Sequence, residues 1–233
     1  MIDLSYRHNT KELMDRDDIP FADMARTLRE LDLINTRLGG HSITIAGLRE
    51  LTAHRKSVTV CEIGCGGGDN LRVIHDWCRR NNITVQLIGI DINDECIRYA
   101  REQQVRLDAT WICSDYARAD LHNHRPDIIF SSLFCHHFTD QQLVSMLKWL
   151  RENAGTGFFI NDLQRHPLAY YLIKYLTKFF SRSYLVKNDA AISVSRGFKK
   201  ADWFRLFEKA GISDFSIRWK WAFRWLVIQR NAL

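Results

Sequence analysis

Prolines number only three in 233 residues, and no Ser/Gly-rich stretch separates one part of the chain from another. Neither a stiff nor a flexible linker is marked, so the length fits one domain over 1–233, large enough to bury a substantial core. No run of about 18 uncharged apolar residues occurs, and no apolar segment follows a basic start at the N-terminus. Neither a membrane span nor a secretory leader is expected, and a cytoplasmic location is. The six cysteines, at 61, 65, 78, 96, 113 and 135, form no C-x-x-C pair and join no His-rich zinc pattern. Buried free thiols and no metal site are the expectation. Repeats and low-complexity segments are also absent. The net charge of +6 is spread along the chain in local pairs such as Arg55-Lys56, Arg79-Arg80 and Lys199-Lys200, which reads as a solvated surface.

Against this plain background, glycine is concentrated in one place. Residues 58–69 read Val-Thr-Val-Cys-Glu-Ile-Gly-Cys-Gly-Gly-Gly-Asp, a β-branched apolar run feeding into glycines at 64, 66, 67 and 68. Missing Cβ atoms let a backbone take positive φ and approach a ligand closely. The pattern is that of a buried strand ending in a nucleotide-binding turn. A dinucleotide fingerprint starting at Gly64 needs glycine at 69, where Asp69 stands, and a pyrophosphate is poorly served by a carboxylate at that helix start.

Apolar strands and helix-spaced segments alternate after an N-terminal helical region, the sequence sign of βαβ units and a parallel sheet. Helices are predicted over 22–38, 42–53, 69–81, 93–104, 140–153 and 199–210, and strands over 58–63, 85–90, 109–113, 127–131, 156–161, 214–220 and 223–229. A long helical insertion occupies 167–198. The parts are a helical cap (1–54), a core (55–165), a substrate-covering insertion (166–198) and a C-terminal helix with strands (199–233). Right-handed crossovers bring the carboxyl ends of the parallel strands to one edge, where open α/β folds bind ligands.

Strand 2 ends Leu87-Ile88-Gly89-Ile90-Asp91, placing a carboxylate beside the glycine turn where a ribose diol can be held. Read as Glu62-x-Gly64-x-Gly66-x-Gly68, the turn resembles motif I of the class I S-adenosylmethionine-dependent methyltransferases. That resemblance implies a Rossmann-like fold with a mostly parallel seven-stranded sheet. It covers about residues 55–165 and carries Asp115, after strand 3, to the adenine amino group, with Tyr116 beside the ring. The acidic Glu62 and Asp69 suit a ligand bearing sulfonium and ammonium charges. Cys65, Ile92 and Ser132 complete the expected S-adenosylmethionine set, with S-adenosylhomocysteine as product, and Asp127 is read as structural.

Within the class, Leu133-Phe134-Cys135-His136-His137-Phe138 resembles the loop of the ubiquinone/menaquinone-biosynthesis-like small-molecule methyltransferases. Glu12-Leu13-Met14-Asp15 and Ile34-Asn35-x-x-Leu38-Gly39-Gly40 resemble a bacterial natural-product or quinone subgroup. The function expected is O-methylation of a phenolic hydroxyl on a small aromatic or lipophilic acceptor of secondary metabolism, with C-methylation of a quinone precursor as the alternative. His166 is the preferred general base with Asp162 orienting it, and His136 is a further candidate beside the cofactor. His137, Arg165, Tyr170, Tyr171 and Tyr175 are expected at the acceptor, in a cavity to which Phe179 also contributes.

A nucleic-acid methyltransferase is disfavoured, because Ser131-Ser132-Leu133-Phe134 stands where an Asn/Asp-Pro-Pro-aromatic motif is usual. A catalytically idle scaffold is the remaining rival. The basic positions of 167–198 also allow peripheral contact with an anionic membrane. Monomer and homodimer stay open.

Overall fold

The computed structural model describes residues 2–16, 18–53, 55–121 and 125–231. Its helices are α1 (Phe21–Arg37), α2 (Gly40–Leu51), α3 (Asp69–Arg80), α4 (Asp94–Gln103), α5 (Asp140–Asn153), α6 (Pro167–Phe180), α7 (Tyr184–Arg196) and α8 (Lys200–Ala210). The strands are β1 (Ser57–Ile63), β2 (Thr84–Asp91), β3 (Ala109–Cys113), β4 (Ile128–Ser132), β5 (Gly157–Leu163), β6 (Phe215–Lys220) and β7 (Arg224–Arg230). They form one sheet in the order β3-β2-β1-β4-β5-β7-β6, parallel through β5, with β7 antiparallel to both neighbours.

Alternation along each strand divides the core between the two faces of the sheet. Ile63, Ile90, Phe158 and Ile160 pack with Leu147 of α5 and Trp203 of α8 on one side. Val60, Leu87, Phe130 and Phe159 pack with Leu48 of α2 and Leu71 of α3 on the other. Each fully buried Leu, Ile or Phe contributes about 1.5–3 kcal/mol, so both faces are strongly specified. Local signals agree with this packing. Asn93 caps α4 by accepting from the Glu95 and Cys96 amides, and Thr139 and Gln142 form a capping box on α5.

Most boundaries lie within one or two residues of the sequence reading. Strand β4 starts at Ile128 because the Asp127 carboxylate accepts from the Thr59 amide and the Arg55 guanidinium, both at 2.8 Å. The long insertion is two helices. They break at Ser181–Ser183, where Glu30 of α1 accepts from the Ser181 hydroxyl and the Arg182 and Ser183 amides.

The cap expected over 1–54 is helical only from Phe21, apart from a single 3-10 turn at Leu13–Asp15. Arginines hold the preceding segment against the body instead. Arg165 donates to the Leu4 carbonyl, and Arg196 donates to the Thr10 carbonyl. Arg7 donates to the carbonyls of Arg196 and Phe138. Asp189 of α7 accepts from the Leu13 and Met14 amides, which fixes the turn over the sheet's carboxyl edge.

Candidate active site

At that edge, β1 ends in a turn whose backbone needs its glycines. Gly64 and Gly66 have φ of 67° and 49°. A Cβ on Gly64 would lie 2.2 Å from the Phe134 ring. The Gly66 amide donates to Asp91 Oδ2 at 2.8 Å, and the Asn93 amide donates to Oδ1 at 3.0 Å. These bonds lock the tip of β2 onto the turn and leave lone pairs on the carboxylate for a ligand. Burial raises the Asp91 pKa against the opposing pull of the two amides.

Glu62 is fully buried and accepts from the Asn70 side-chain amide at 2.9 Å, while its Oε2 has no partner. Burial, reinforced by Asp69 and Asp91, pushes its carboxyl well above the usual range. Three carboxylates therefore converge on one turn, and a cation there relieves their repulsion. Asp69 is in turn oriented by His41 Nε2 at 2.8 Å and by the Asn35 side-chain amide at 3.3 Å. Asn35 Oδ1 accepts from Arg224 Nη2 at 3.0 Å. The other guanidinium nitrogen, Nη1, is buried without a partner, and burial lowers the Arg224 pKa to about 10.

A second cluster lies at the ends of β4 and β5. His136 is 3% exposed, and its Nδ1 meets Asp162 Oδ1 at 2.8 Å. Its Nε2 faces Glu12 Oε1 at 3.5 Å. Burial alone would depress the His136 pKa, but Asp162 and Glu12 outweigh it and raise it to about 9. His137 is more open, with Nδ1 3.0 Å from Asp15 Oδ1 and Nε2 3.9 Å from Glu12 Oε2. Burial would raise the Glu12 carboxyl, but the two histidines hold it below its ordinary value.

Glu12, His136 and His137 also bring potential metal-ligand atoms within 4.8 Å of one another. Arg196 Nη1 also approaches this group, at 3.8 Å from Glu12 and 3.5 Å from Asp15. Asp32, His41 and Asp69 form another such group, in which Arg72 pairs with Asp32 at 2.9 Å.

One cavity of about 1190 Å³ joins the two clusters. Glu62, Gly64, Cys65, Gly66, Asp69, Asp91, Ile92, Asp115, Tyr116, Ser132, His136 and His137, all singled out from sequence, line it. Gly68 lies behind the turn as the left-handed cap of α3, against Trp111.

Other expected positions fall elsewhere. His166 lines a small surface hollow with Ile2, Leu4, Ser5 and Lys199. Its Nδ1 accepts from the Leu168 amide at 3.2 Å to cap α6, and its ring stacks on Phe223. Asp162 serves His136 rather than His166, because the strand alternation turns it inward beside β4. Arg165 is buried against the Leu4 and Gly197 carbonyls and Asp202. On α6 the cavity receives Ala169, Leu172, Ile173 and Leu176. That helical face excludes Tyr170, Tyr171 and Tyr175, because apolar residues occur all round α6 and composition does not mark the inward side. Phe179 is likewise outside the lining and 73% exposed.

Sequence reasoning assigned no role to Arg196 or Arg224. Glu12 and Asp15 entered it only through the subgroup resemblance, since more than 120 residues of chain separate them from the histidines they meet.

The methyltransferase-domain family matches residues 60–157. A 101-residue stretch is 28% identical to the malonyl-[acyl-carrier protein] O-methyltransferase of Anoxybacillus flavithermus, covering 43% of this chain and 38% of the relative's length. Among solved structures, the plantazolicin methyltransferase in complex with a monoazolic desmethylPZN analog and S-adenosylhomocysteine superposes with a TM-score of 0.64 at 15% identity, covering 91% of this chain and 96% of that one. Human N-acetylserotonin methyltransferase in complex with S-adenosylmethionine gives 0.64 at 15% identity, over 92% and 57%. Magnesium protoporphyrin IX methyltransferase of Synechocystis PCC 6803, with bound S-adenosylhomocysteine, gives 0.56 at 16% identity, over 84% of each chain. The domain match over residues 60–157 is seated on the glycine turn, and the sheet ordered β3-β2-β1-β4-β5-β7-β6 shares the Rossmann-like α/β fold of these methyltransferase structures.

Proposed function

We propose that this protein methylates an oxygen of a small aromatic or lipophilic acceptor, a phenolic hydroxyl being preferred, with S-adenosylmethionine as donor. The observation that carries the reading is the single cavity linking the carboxylate-rich glycine turn to the Glu12–His136–His137–Asp15 cluster. Within it, Asp91 would take the ribose hydroxyls and Asp115 the adenine amino group, with Tyr116 along the ring. Glu62 Oε2 and Arg224 Nη1, each buried and unpartnered, would take the ammonium and carboxylate of the amino-acid end.

When bound, the donor supplies a methyl carbon made electrophilic by its sulfonium. The chain's task is then to aim the acceptor oxygen and remove its proton. His136 is charged at neutral pH and so is not the base; it holds Glu12 and Asp162 in place. His137, backed at Nδ1 by Asp15, would receive the proton as the acceptor O–H bond breaks. The acceptor oxygen's lone pair would then make the new O–C bond, with the C–S electron pair left on the donor's sulfur. The apolar wall of Leu172, Ile173, Leu176, Leu185 and Val186 favours an aromatic or aliphatic acceptor body.

The test is calorimetry with S-adenosylmethionine, followed by a homocysteine-release screen of phenols, quinols and resorcinols. Donor binding with turnover on a hydroxyl compound is expected. Absence of donor binding would remove the proposal.

A further inference from the structure

Helix α6 carries an apolar stripe that no part of the described residues covers. Only Ala169 and Thr177 of its 14 residues are buried. At about 100° per residue, Leu168, Leu172, Tyr175, Leu176 and Phe179 fall within a single arc roughly 100° wide. All five are 40–73% exposed, and Phe180 at the helix end is 80% exposed.

Along the segment that carries this stripe, charge has one sign. From Pro167 to Lys187 the sequence holds no aspartate or glutamate, while Lys174, Lys178, Arg182 and Lys187 are basic. All four are exposed. Lys174 and Lys178 border the stripe on the side away from the cavity. On the opposite border, Leu172 and Leu176 are exposed and also line the cavity wall, so the stripe runs into the cavity rim. The acid packed against the end of the helix, Glu30, is occupied by the amides of Arg182 and Ser183 and the hydroxyl of Ser181. Those bonds pin the α6–α7 junction, and the stripe is therefore presented by an anchored element.

We propose that α6 docks the protein on an anionic lipid bilayer, with Leu168, Leu172, Tyr175, Leu176 and Phe179 at the headgroup–acyl boundary and the flanking lysines on acidic headgroups. An apolar stripe bordered by basic residues and free of acids has the design of an interfacial helix, and it complements a negatively charged surface. A second copy of this chain fits less well, because two such faces would bring their lysines together. The docking rests on the α6 surface alone and stands whether or not the methyl-transfer reading does. Taken with that reading, it opens the cavity rim toward an acceptor dissolved in the membrane.

Co-sedimentation of the full chain with phosphatidylglycerol/phosphatidylcholine vesicles, and with phosphatidylcholine alone, tests this. Binding is expected to the anionic vesicles, weakening as salt rises. The Leu168→Ser/Phe179→Ser variant, which touches no cavity-lining residue, should bind roughly tenfold or more weakly with an unchanged melting temperature. Lys174→Glu/Lys178→Glu should lose the preference for anionic lipid. Failure of the wild type to bind anionic vesicles, or equal binding by the serine variant, overturns the proposal. So does light scattering that shows a wild-type dimer abolished by the serine variant.

Discussion

His136 and Asp162 form a buried pair across the carboxyl ends of adjacent strands, Nδ1 to Oδ1 at 2.8 Å, with Glu12 on the far side of the imidazole. The pair makes stability depend on pH. The folded His136 pKa of about 9 lies above the ordinary value of about 6.5 in an unfolded chain. Its contribution is therefore fully present below about pH 6.5 and is lost as pH rises through about 9, on the order of 3 kcal/mol in all. Melting temperatures measured from pH 6 to 10 should fall across that window. His136→Asn should be less stable at low pH and show a flatter profile, whereas parallel profiles would place the linkage elsewhere.

His137→Ala should lower kcat by about 10²- to 10³-fold while the dissociation constant for S-adenosylmethionine stays nearly unchanged. His166→Ala, which removes a helix cap outside the cavity, should retain turnover and lose about 1 kcal/mol of stability. Steady-state kinetics and thermal melts on both variants check this, and a dead His166→Ala with wild-type stability would reverse the assignment.

Asp91→Ala and Glu62→Gln should each weaken donor binding roughly tenfold or more, read by calorimetry. Glu62→Gln should also raise the melting temperature of the free protein, or leave it unchanged, because it removes a buried carboxyl pressed by Asp69 and Asp91.

Arg224→Met should weaken S-adenosylhomocysteine strongly but leave 5′-methylthioadenosine, which lacks the amino-acid end, nearly unaffected. The ratio of the two affinities is the readout. An equal loss for both ligands would mean that Arg224 only supports Asn35 and the turn.

The sheet was readable from the chain because its evidence is local. Strand β1, the glycines, Asp91 at the tip of β2 and Asp115 after β3 are short-range patterns, and parallel topology brings strand ends to one edge without further information. The split of the 167–198 insertion into two helices was not readable. It depends on Glu30, more than 150 residues away in sequence, satisfying the amides at the break.

The same distinction divides the candidate site. His136 and His137 stand out in sequence as a pair, but their partners arrive from Glu12 and Asp15 on a turn that Asp189 and Arg196 hold in place. His166 looked equally well placed after β5. Its side chain caps α6 and lines a surface hollow shared with the N-terminal segment instead of entering the cavity. The tyrosines of α6 fail for a related reason: both faces of that helix are apolar, so only packing reveals which one looks inward.

The sequence alone determined the fold class and the place of the glycine turn at the carboxyl edge of the sheet, since these follow from hydrophobic period and from residues adjacent along the chain. Only the tertiary structure decided which histidine is buried between acids, where Arg224 lies and which side of α6 is left bare. Those depend on desolvation and on contacts between segments more than a hundred residues apart, and no local pattern encodes them.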